Sequence, residues 1–380
     1  MAVKWSPEAT AGDARAGTLT TPHGDLPTPA FMPVGTAGTV KGVDPEELSA
    51  AGYRMALSNT YHLMLRPGHE RVRNLGGLHR MMAWDGALLT DSGGFQAFSL
   101  DSLVKLNDEG VLFRSHLDGS RHLLTPERAI EVQEALGADV IMALDHCAPL
   151  PSDRSAVEDA VQRTTAWLGR CVSARRRTQD QALFGIVQGG VDEGLRRRSA
   201  EEICAFDLPG YAIGGLSVGE AVEDMWATAA FTAPLLPEDR PRYLMGVGRP
   251  DDLIEAVGSG VDMFDCVLPT RCARTGLLFT SRGDLVVKHA RWKDDPGPPD
   301  PACDCPLCSR FSLAYLRHLF VAKEILGLRL MTLHNLHFYR RLMAGLRDAI
   351  AADEFEAFSK RFRSARLELG TRIRSRPTPT

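Results

Sequence analysis

The sequence predicts an α/β fold, with a closed (β/α)8 barrel favoured over an open doubly wound sheet. Two observations carry this. Short, continuously apolar runs alternate with longer helical patterns along most of the chain, as parallel strands covered on both faces should. Nearly every such run also ends in Asp, Gln or Gly, the residues expected where strands open onto a functional rim. Arg15 to Val34 is strand-like and broken at Pro22-His23-Gly24-Asp25, as in a hairpin. A second hairpin is predicted around Asp118-Gly119, between Val111–Phe113 and His122–Leu124. The candidate barrel strands are Met55–Ser58, Ala87–Thr90, Val140–Leu144, Leu183–Val187, Tyr211–Ile213, Tyr243–Met245 and Met263–Phe264. Candidate helices are Pro126–Leu136, Ala156–Arg177, Leu195–Phe206, Val222–Leu235 and Asp251–Val257. No fixed-period repeat points to a solenoid. The rhythm breaks near Arg271, after which a third hairpin (Leu277–Thr280, Leu285–Lys288), a cysteine cluster and two or three helices follow.

With 380 residues, 44% hydrophobic and 24% charged, the chain has the composition of an ordinary globular protein large enough for a sizeable core. No apolar run is long enough to span a bilayer, and the first residues show no signal-peptide core, so the expected compartment is the cytosol. The net charge of −4 hides a split. From Arg271 onward 20 Lys/Arg stand against 11 Asp/Glu, whereas the first 270 residues carry 24 against 37. A basic segment beside an acidic majority is the asymmetry expected when one face meets a phosphate backbone.

Eight cysteines in a chain without an export signal more often bind metal than pair. Cys303, Cys305 and Cys308 read C-x-C-x-x-C. Three crowded thiolates are relieved by a soft divalent cation, and tetrahedral zinc wants one further ligand. His334 and His337 both follow at a reachable distance, and spacing does not choose between them. Four protein ligands leave no open position, so the metal reads as a staple.

The chemistry lies at the strand ends. Ala87–Thr90 runs into Asp91, Val140–Leu144 into Asp145, Leu183–Val187 into Gln188 and Met263–Phe264 into Asp265. Tyr211–Ile213 ends in Gly214-Gly215 and Tyr243–Met245 in Gly246. In a parallel barrel these ends converge over one cavity. Asp and Gln together offer the acceptors and donors that read a base edge, and glycines admit a flat ligand close to the backbone. Phe95 and Met245 can sandwich an aromatic ring. Paired carboxylates beside one sugar suit double displacement at an anomeric carbon.

These residues resemble the tRNA-guanine transglycosylase (queuine tRNA-ribosyltransferase) family in its bacterial form. The likeness rests on Ser58-Asn59-Thr60-Tyr61-His62-Leu63, Thr90–Gln96, Phe113-Arg114-Ser115 with Asp118-Gly119, and Gly185–Gly190. It continues through Ile213–Glu220, Asp265–Arg271, the cysteine cluster and His334-Asn335-Leu336. The resemblance implies a (β/α)8 TIM barrel with an inserted zinc-binding subdomain near the C-terminus. The expected divisions are residues 1–270 for the main part of the barrel, 271–345 for the zinc-binding and RNA-contacting segment, and 346–380 for a helix and tail completing the barrel.

By that likeness, Asp265 is the nucleophile on the wobble guanosine and Asp91 the general acid/base. Asp145, Gln188 and the Gly215 amide read the base, with Phe95 and Met245 stacking on it. Arg271 and Arg274 contact the anticodon loop. Cys303, Cys305, Cys308 and His334 are identified as ligands of one structural Zn2+ per subunit. The implied reaction replaces guanine by 7-aminomethyl-7-deazaguanine in tRNAs for Tyr, His, Asn and Asp, which carry GUN anticodons with a U-G-U core, in queuosine biosynthesis. A homodimer is implied, with no membrane association. Val218 resembles the bacterial branch, but His146 stands where bacterial relatives commonly carry Glu, so selectivity between guanine and its replacement is expected to differ. The alternatives are a non-catalytic RNA-binding homologue and a nucleoside hydrolase on the same barrel. The presence of both Asp91 and Asp265 argues against the first, and the basic C-terminal third against the second.

Overall fold

The computed structural model describes residues 3–99, 104–367 and 369, with the side chains of 98 and 99 left aside. Eight short strands form a parallel sheet: β1 (Ala30–Pro33), β2 (Met55–Ser58), β3 (Ala87–Thr90), β4 (Val140–Met142), β5 (Ala182–Val187), β6 (Tyr211–Ile213), β7 (Arg242–Leu244) and β8 (Met263–Cys266). Each pairs with its neighbours in chain order and β8 returns to β1, with Asp265 opposite Met32. Between β1 and β2 the ring is joined by the parallel bridge Val34–Leu57, with the Gly35 amide donating to the Leu57 carbonyl at 2.6 Å.

Side chains alternate along each strand, which divides the apolar residues into two populations. Met32, Leu57, Leu89, Met142, Phe184, Ile186, Ala212, Tyr243 and Met263 fill the barrel interior. Phe31, Ala56, Leu88, Ile141, Leu183, Val187, Ile213, Leu244 and Phe264 face the surrounding helices. The connecting helices carry their own stop signals. In Pro126–Leu136, Thr125 Oγ1 accepts from the Arg128 amide at one end and Gly137 turns left-handed (φ +81°) at the other.

One end of the barrel is closed by a three-stranded antiparallel sheet, Lys4–Ala11, Ala14–Thr21 and Gly24–Thr28, whose Trp5, Leu19 and Leu26 pack into the interior cluster. The strand-like stretch from Arg15 to Val34 therefore holds more than a hairpin: Ala30–Pro33 leaves it to become β1. The other expected strands are present within two residues at either end. The three one-turn helices Thr60–Leu65, His69–Asn74 and Gly77–Met82 have too little periodicity for sequence patterns to show.

Beyond β8 lie helix Leu268–Arg274, the hairpin Leu277–Thr280/Gly283–Val286, helix Leu313–Val321, the 27-residue helix Ile325–Ala351 and helix Phe355–Ala365. Leu278, Leu285, Leu316, Leu330 and Met331 form a separate small core around Cys305 and Cys308. Tyr339, Leu342, Met343, Leu346 and Ile350, farther along the same long helix, pack into the barrel's outer core. The division expected between residues 345 and 346 thus falls inside one helix. Among the described residues no helix is long and apolar enough to cross a membrane.

Candidate active site

The strand ends of β3, β4, β5, β6, β7 and β8 bring Asp91, Asp145, Gln188, Gly215, Met245 and Asp265 to the same end of the barrel, opposite the antiparallel plug. Asp265 sits within β8, half-buried. Its Oδ1 accepts from the Tyr243 hydroxyl at 2.6 Å and from the Gly246 amide at 2.8 Å. Both donors hold the same oxygen, and among the described residues no hydrogen bond occupies Oδ2. Burial pushes the Asp265 carboxyl up, and the two donors pull it back by stabilising the anion.

Asp91 follows β3. Its Oδ1 accepts from the Thr60 amide at 2.7 Å and its Oδ2 from the Asn59 side chain, while the Thr60 hydroxyl donates to its backbone carbonyl. These partners come from the loop and short helix after β2. Burial raises the Asp91 carboxyl to about 6, against the pull of Asn59, Thr60 and Gln96, and the neighbouring charge of Asp265 adds to the rise. A carboxyl in that range gives and takes protons near neutral pH. Asp265 is thus near enough for its charge to act on Asp91.

Asp145 is raised to about 6, chiefly by burial. Gln188 Nε2 donates to its Oδ2 at 2.7 Å, and Ser92, next to Asp91, also hydrogen-bonds it. Gln188 in turn lies against Gly214 and Gly215: a side-chain carbon on Gly215 would come within 2.2 Å of Gln188 Oε1. Gly215 is left-handed (φ +65°), so the position excludes larger residues twice over. Gln188 thus lies between Asp145 and the Gly214–Gly215 turn. Phe95 is 42% exposed at the rim, and Met245 is half-buried where β7 ends.

Helix Leu268–Arg274 starts two residues after β8 and carries Arg271 and Arg274 on its last turn, both partly buried. Arg274 Nη1 donates to the Thr270 carbonyl at 2.7 Å. Burial and the adjacent Arg271 cation lower Arg274. The two guanidinium groups are close enough for the charge of Arg271 to act on Arg274. His146 is buried enough to fall to about 4, helped by Arg163, whose Nη1 donates to the ring Nδ1 at 3.1 Å. It is a neutral imidazole at physiological pH.

Away from the cleft, Cys303, Cys305, Cys308 and His334 gather, with ligand atoms all within 4.8 Å of one another. His334 Nδ1 lies 3.7, 3.4 and 3.3 Å from the three sulfurs in that order. His334 Nε2 donates to the Phe279 carbonyl at 2.9 Å. A carbonyl only accepts, so the ring proton is fixed on Nε2 and the Nδ1 lone pair faces the sulfurs. Hydrogen bonds from Cys303 and Cys308 pull the Cys305 thiol down to about 3, while the Cys308 thiol is pushed up by its hydrogen bonds with Cys303 and Cys305 and by burial. This group could hold a metal ion. His337 instead hydrogen-bonds exposed Asp304 at 2.8 Å, so the choice that spacing left open falls on His334.

A model of the queuine tRNA-ribosyltransferase family matches residues 10–368 of this chain. The chain belongs to the queuine tRNA-ribosyltransferase family. It is 56% identical over 349 residues to the queuine tRNA-ribosyltransferase of Desulforamulus reducens, covering 92% of this chain and 94% of that protein. It is 58% identical over 337 residues to that of Pelotomaculum thermopropionicum, covering 89% and 91%. The Bacillus mycoides protein of the same name is 56% identical over 349 residues, at 92% of each chain. The ribosyltransferase is thus an enzyme of the pentosyltransferase class.

Sequence reasoning did not single out three groups that shape this site. Tyr243 looked like an interior strand residue, and only the barrel's curvature turns its hydroxyl onto Asp265. Asn59 and Thr60 stood in a recognised motif without a stated role. Arg196 lies in Glu193–Cys204, a helix whose charged sequence reads as solvated, yet it is fully buried.

Proposed function

We propose that the ribosyltransferase exchanges guanine at the wobble position of tRNA for 7-aminomethyl-7-deazaguanine, a step of queuosine biosynthesis in the cytoplasm. The observation that carries this reading is the Asp265–Asp91 pair: one carboxylate with a single oxygen clamped and the other without a hydrogen bond among the described residues, beside a second carboxyl raised to about 6. Environments that push two carboxyls toward different roles mark a nucleophile and a general acid/base.

In the first half-reaction, Asp265 Oδ2 bonds to the ribose anomeric carbon as the bond to guanine N9 breaks. Asp91 gives its proton to the departing guanine. In the second, Asp91 takes the N9 proton of the incoming base, which attacks the anomeric carbon and releases Asp265. Inversion twice returns the original configuration. The edge of Asp145, Gln188 and Gly215 reads the purine, and Phe95 and Met245 stack on its faces. A base drawn from a single-stranded loop reaches such a pocket at less cost than one in a duplex.

Arg271 and Arg274 support binding of the anticodon-loop phosphates, in tRNAs for Tyr, His, Asn and Asp with a U-G-U core. Neutral His146 adds no anion for the aminomethyl group, which supports weaker discrimination between the two bases than a carboxylate there would give. The Cys3His group fits zinc: tetrahedral bonds of about 2.3 Å to sulfur and 2.0–2.1 Å to nitrogen set sulfur–nitrogen separations of about 3.5 Å, close to those present. With four protein ligands the ion would cross-link the loop to the long helix. Tyr315, Val321, Ile325 and Leu326, exposed apolar residues on this subdomain, support a homodimer.

The test is capture of the covalent RNA–protein adduct on denaturing electrophoresis with a U-G-U tRNA. Asp265→Ala should abolish the adduct, and an undiminished adduct would reject the assignment.

A further inference from the structure

Arg196 is an anomaly in the fold. It is 0% exposed, and every partner of its guanidinium is a backbone carbonyl. Nε donates to Gly190 at 2.8 Å, Nη1 to Val187 at 3.0 Å and to Gly214 at 2.8 Å, and Nη2 to Gly215 at 3.4 Å. Val187 and Gly190 bracket Gln188 in the loop after β5, while Gly214 and Gly215 begin the loop after β6. A single side chain therefore ties the two loops that build the polar edge. The loop after β5 is wrapped closely: a side-chain carbon on Gly189 would stand 2.7 Å from the Arg196 amide nitrogen.

A buried cation is costly, and an apolar residue would serve a purely structural contact better. Arg suits this place because its planar fork spreads donors over several directions while keeping its charge. Burial lowers it only to about 10, so it remains protonated at neutral pH. The consequence reaches Gln188. That side chain hydrogen-bonds Asp145 and lies so near the Gly214–Gly215 backbone that a side-chain carbon on either glycine would overlap it.

We propose that Arg196 is a positioning residue for base recognition, setting Gln188 and the Gly215 backbone at the spacing that reads the purine edge. This rests on the base-exchange reading above. Its chemistry predicts that Lys, which keeps the charge but loses the fork, cannot replace it.

The test is steady-state guanine exchange with KM for the free base and KM for tRNA measured separately, on the native enzyme, Arg196→Lys, Gln188→Ala and the double variant. Arg196→Gln, which keeps two donors without charge, is the second variant should Lys not fold. The expected result is a base KM raised about tenfold or more in Arg196→Lys, as for loss of hydrogen bonds to a bound polar edge, with tRNA KM within about threefold. In the Gln188→Ala background the same substitution should add little, because both act on one contact. A general loss of stability would instead lower kcat equally in both backgrounds. A raised base KM in Gln188→Ala with none in the folded Arg196 variants, or full additivity, overturns the positioning role. An unchanged base KM in Gln188→Ala overturns the base-reading assignment itself, and the inference with it.

Discussion

The hydroxyl of Tyr243 gives the sharpest handle on the reaction. Tyr243→Phe removes the 2.6 Å hydrogen bond to Asp265 Oδ1 and leaves the ring in the barrel interior, where it is buried. A hydrogen bond to a charged group contributes about 1.5–3 kcal/mol, which corresponds to roughly one to two pKa units. The Tyr243 bond favours the ionised form of Asp265, so its loss raises the Asp265 carboxyl further. The sign is therefore fixed. A nucleophile that must be ionised loses activity as pH falls through its pKa, and in the variant that loss begins at higher pH. Incorporation of labelled guanine into tRNA, measured as kcat/KM between about pH 5 and 9, should show an acid limb moved upward by about one unit or more. Below that limb the rate should fall about tenfold, while the alkaline side recovers. The limb belongs to the coupled Asp91–Asp265 pair, so its shift is read as a macroscopic value. An unmoved limb, or a uniform loss at every pH, would refute the assignment of Asp265.

Other outcomes follow from the same geometry. Asn59→Ala removes a donor to Asp91 Oδ2, so the Asp91 carboxyl should rise and the alkaline limb of kcat/KM for tRNA, set by Asp91 as proton donor, move upward without loss of the covalent adduct, which electrophoresis and pH profiles together check. Asp145→Asn should raise the base KM by about ten- to a hundredfold, the scale of one charged hydrogen bond, with tRNA affinity by gel shift unchanged. Cys308→Ala should take metal content by mass spectrometry from one ion per chain to none and lower the thermal midpoint by about 10 °C or more. Arg15→Ala removes both bonds, 2.9 and 2.7 Å, to Asp262, leaving that carboxylate buried with only the Arg242 amide. Denaturant unfolding should show a loss of about 3–5 kcal/mol.

The barrel was legible because its strands are buried on both faces and stop at residues that a helix or core would not choose. Asp91, Asp145 and Asp265 were visible as a set for that reason, although 174 positions separate the first from the last. What sequence could not show depends on orientation. Ala30–Pro33 continues an antiparallel plug and becomes parallel only by pairing with a strand more than 230 residues later. Tyr243 and Leu244 are equally apolar neighbours in a strand, but one faces the lumen and the other the helices. Arg196, amid Arg197 and Arg198, is distinguished from them only by the carbonyls that surround it once two loops have closed.

The helix Ile325–Ala351 has a mechanical consequence. Its first turns carry His334 among the sulfurs, and its last turns lie against the barrel wall. Asn335, one residue on, hydrogen-bonds the backbone of Phe279, Pro269 and Leu277, reaching the segment that leaves the strand of Asp265. The rod acts as a shared strut, so loosening at the cysteine end is transmitted along it instead of staying local. Removing a metal bound at that cysteine end should therefore expose protease cleavage points on the barrel side as well, with both halves melting as one event.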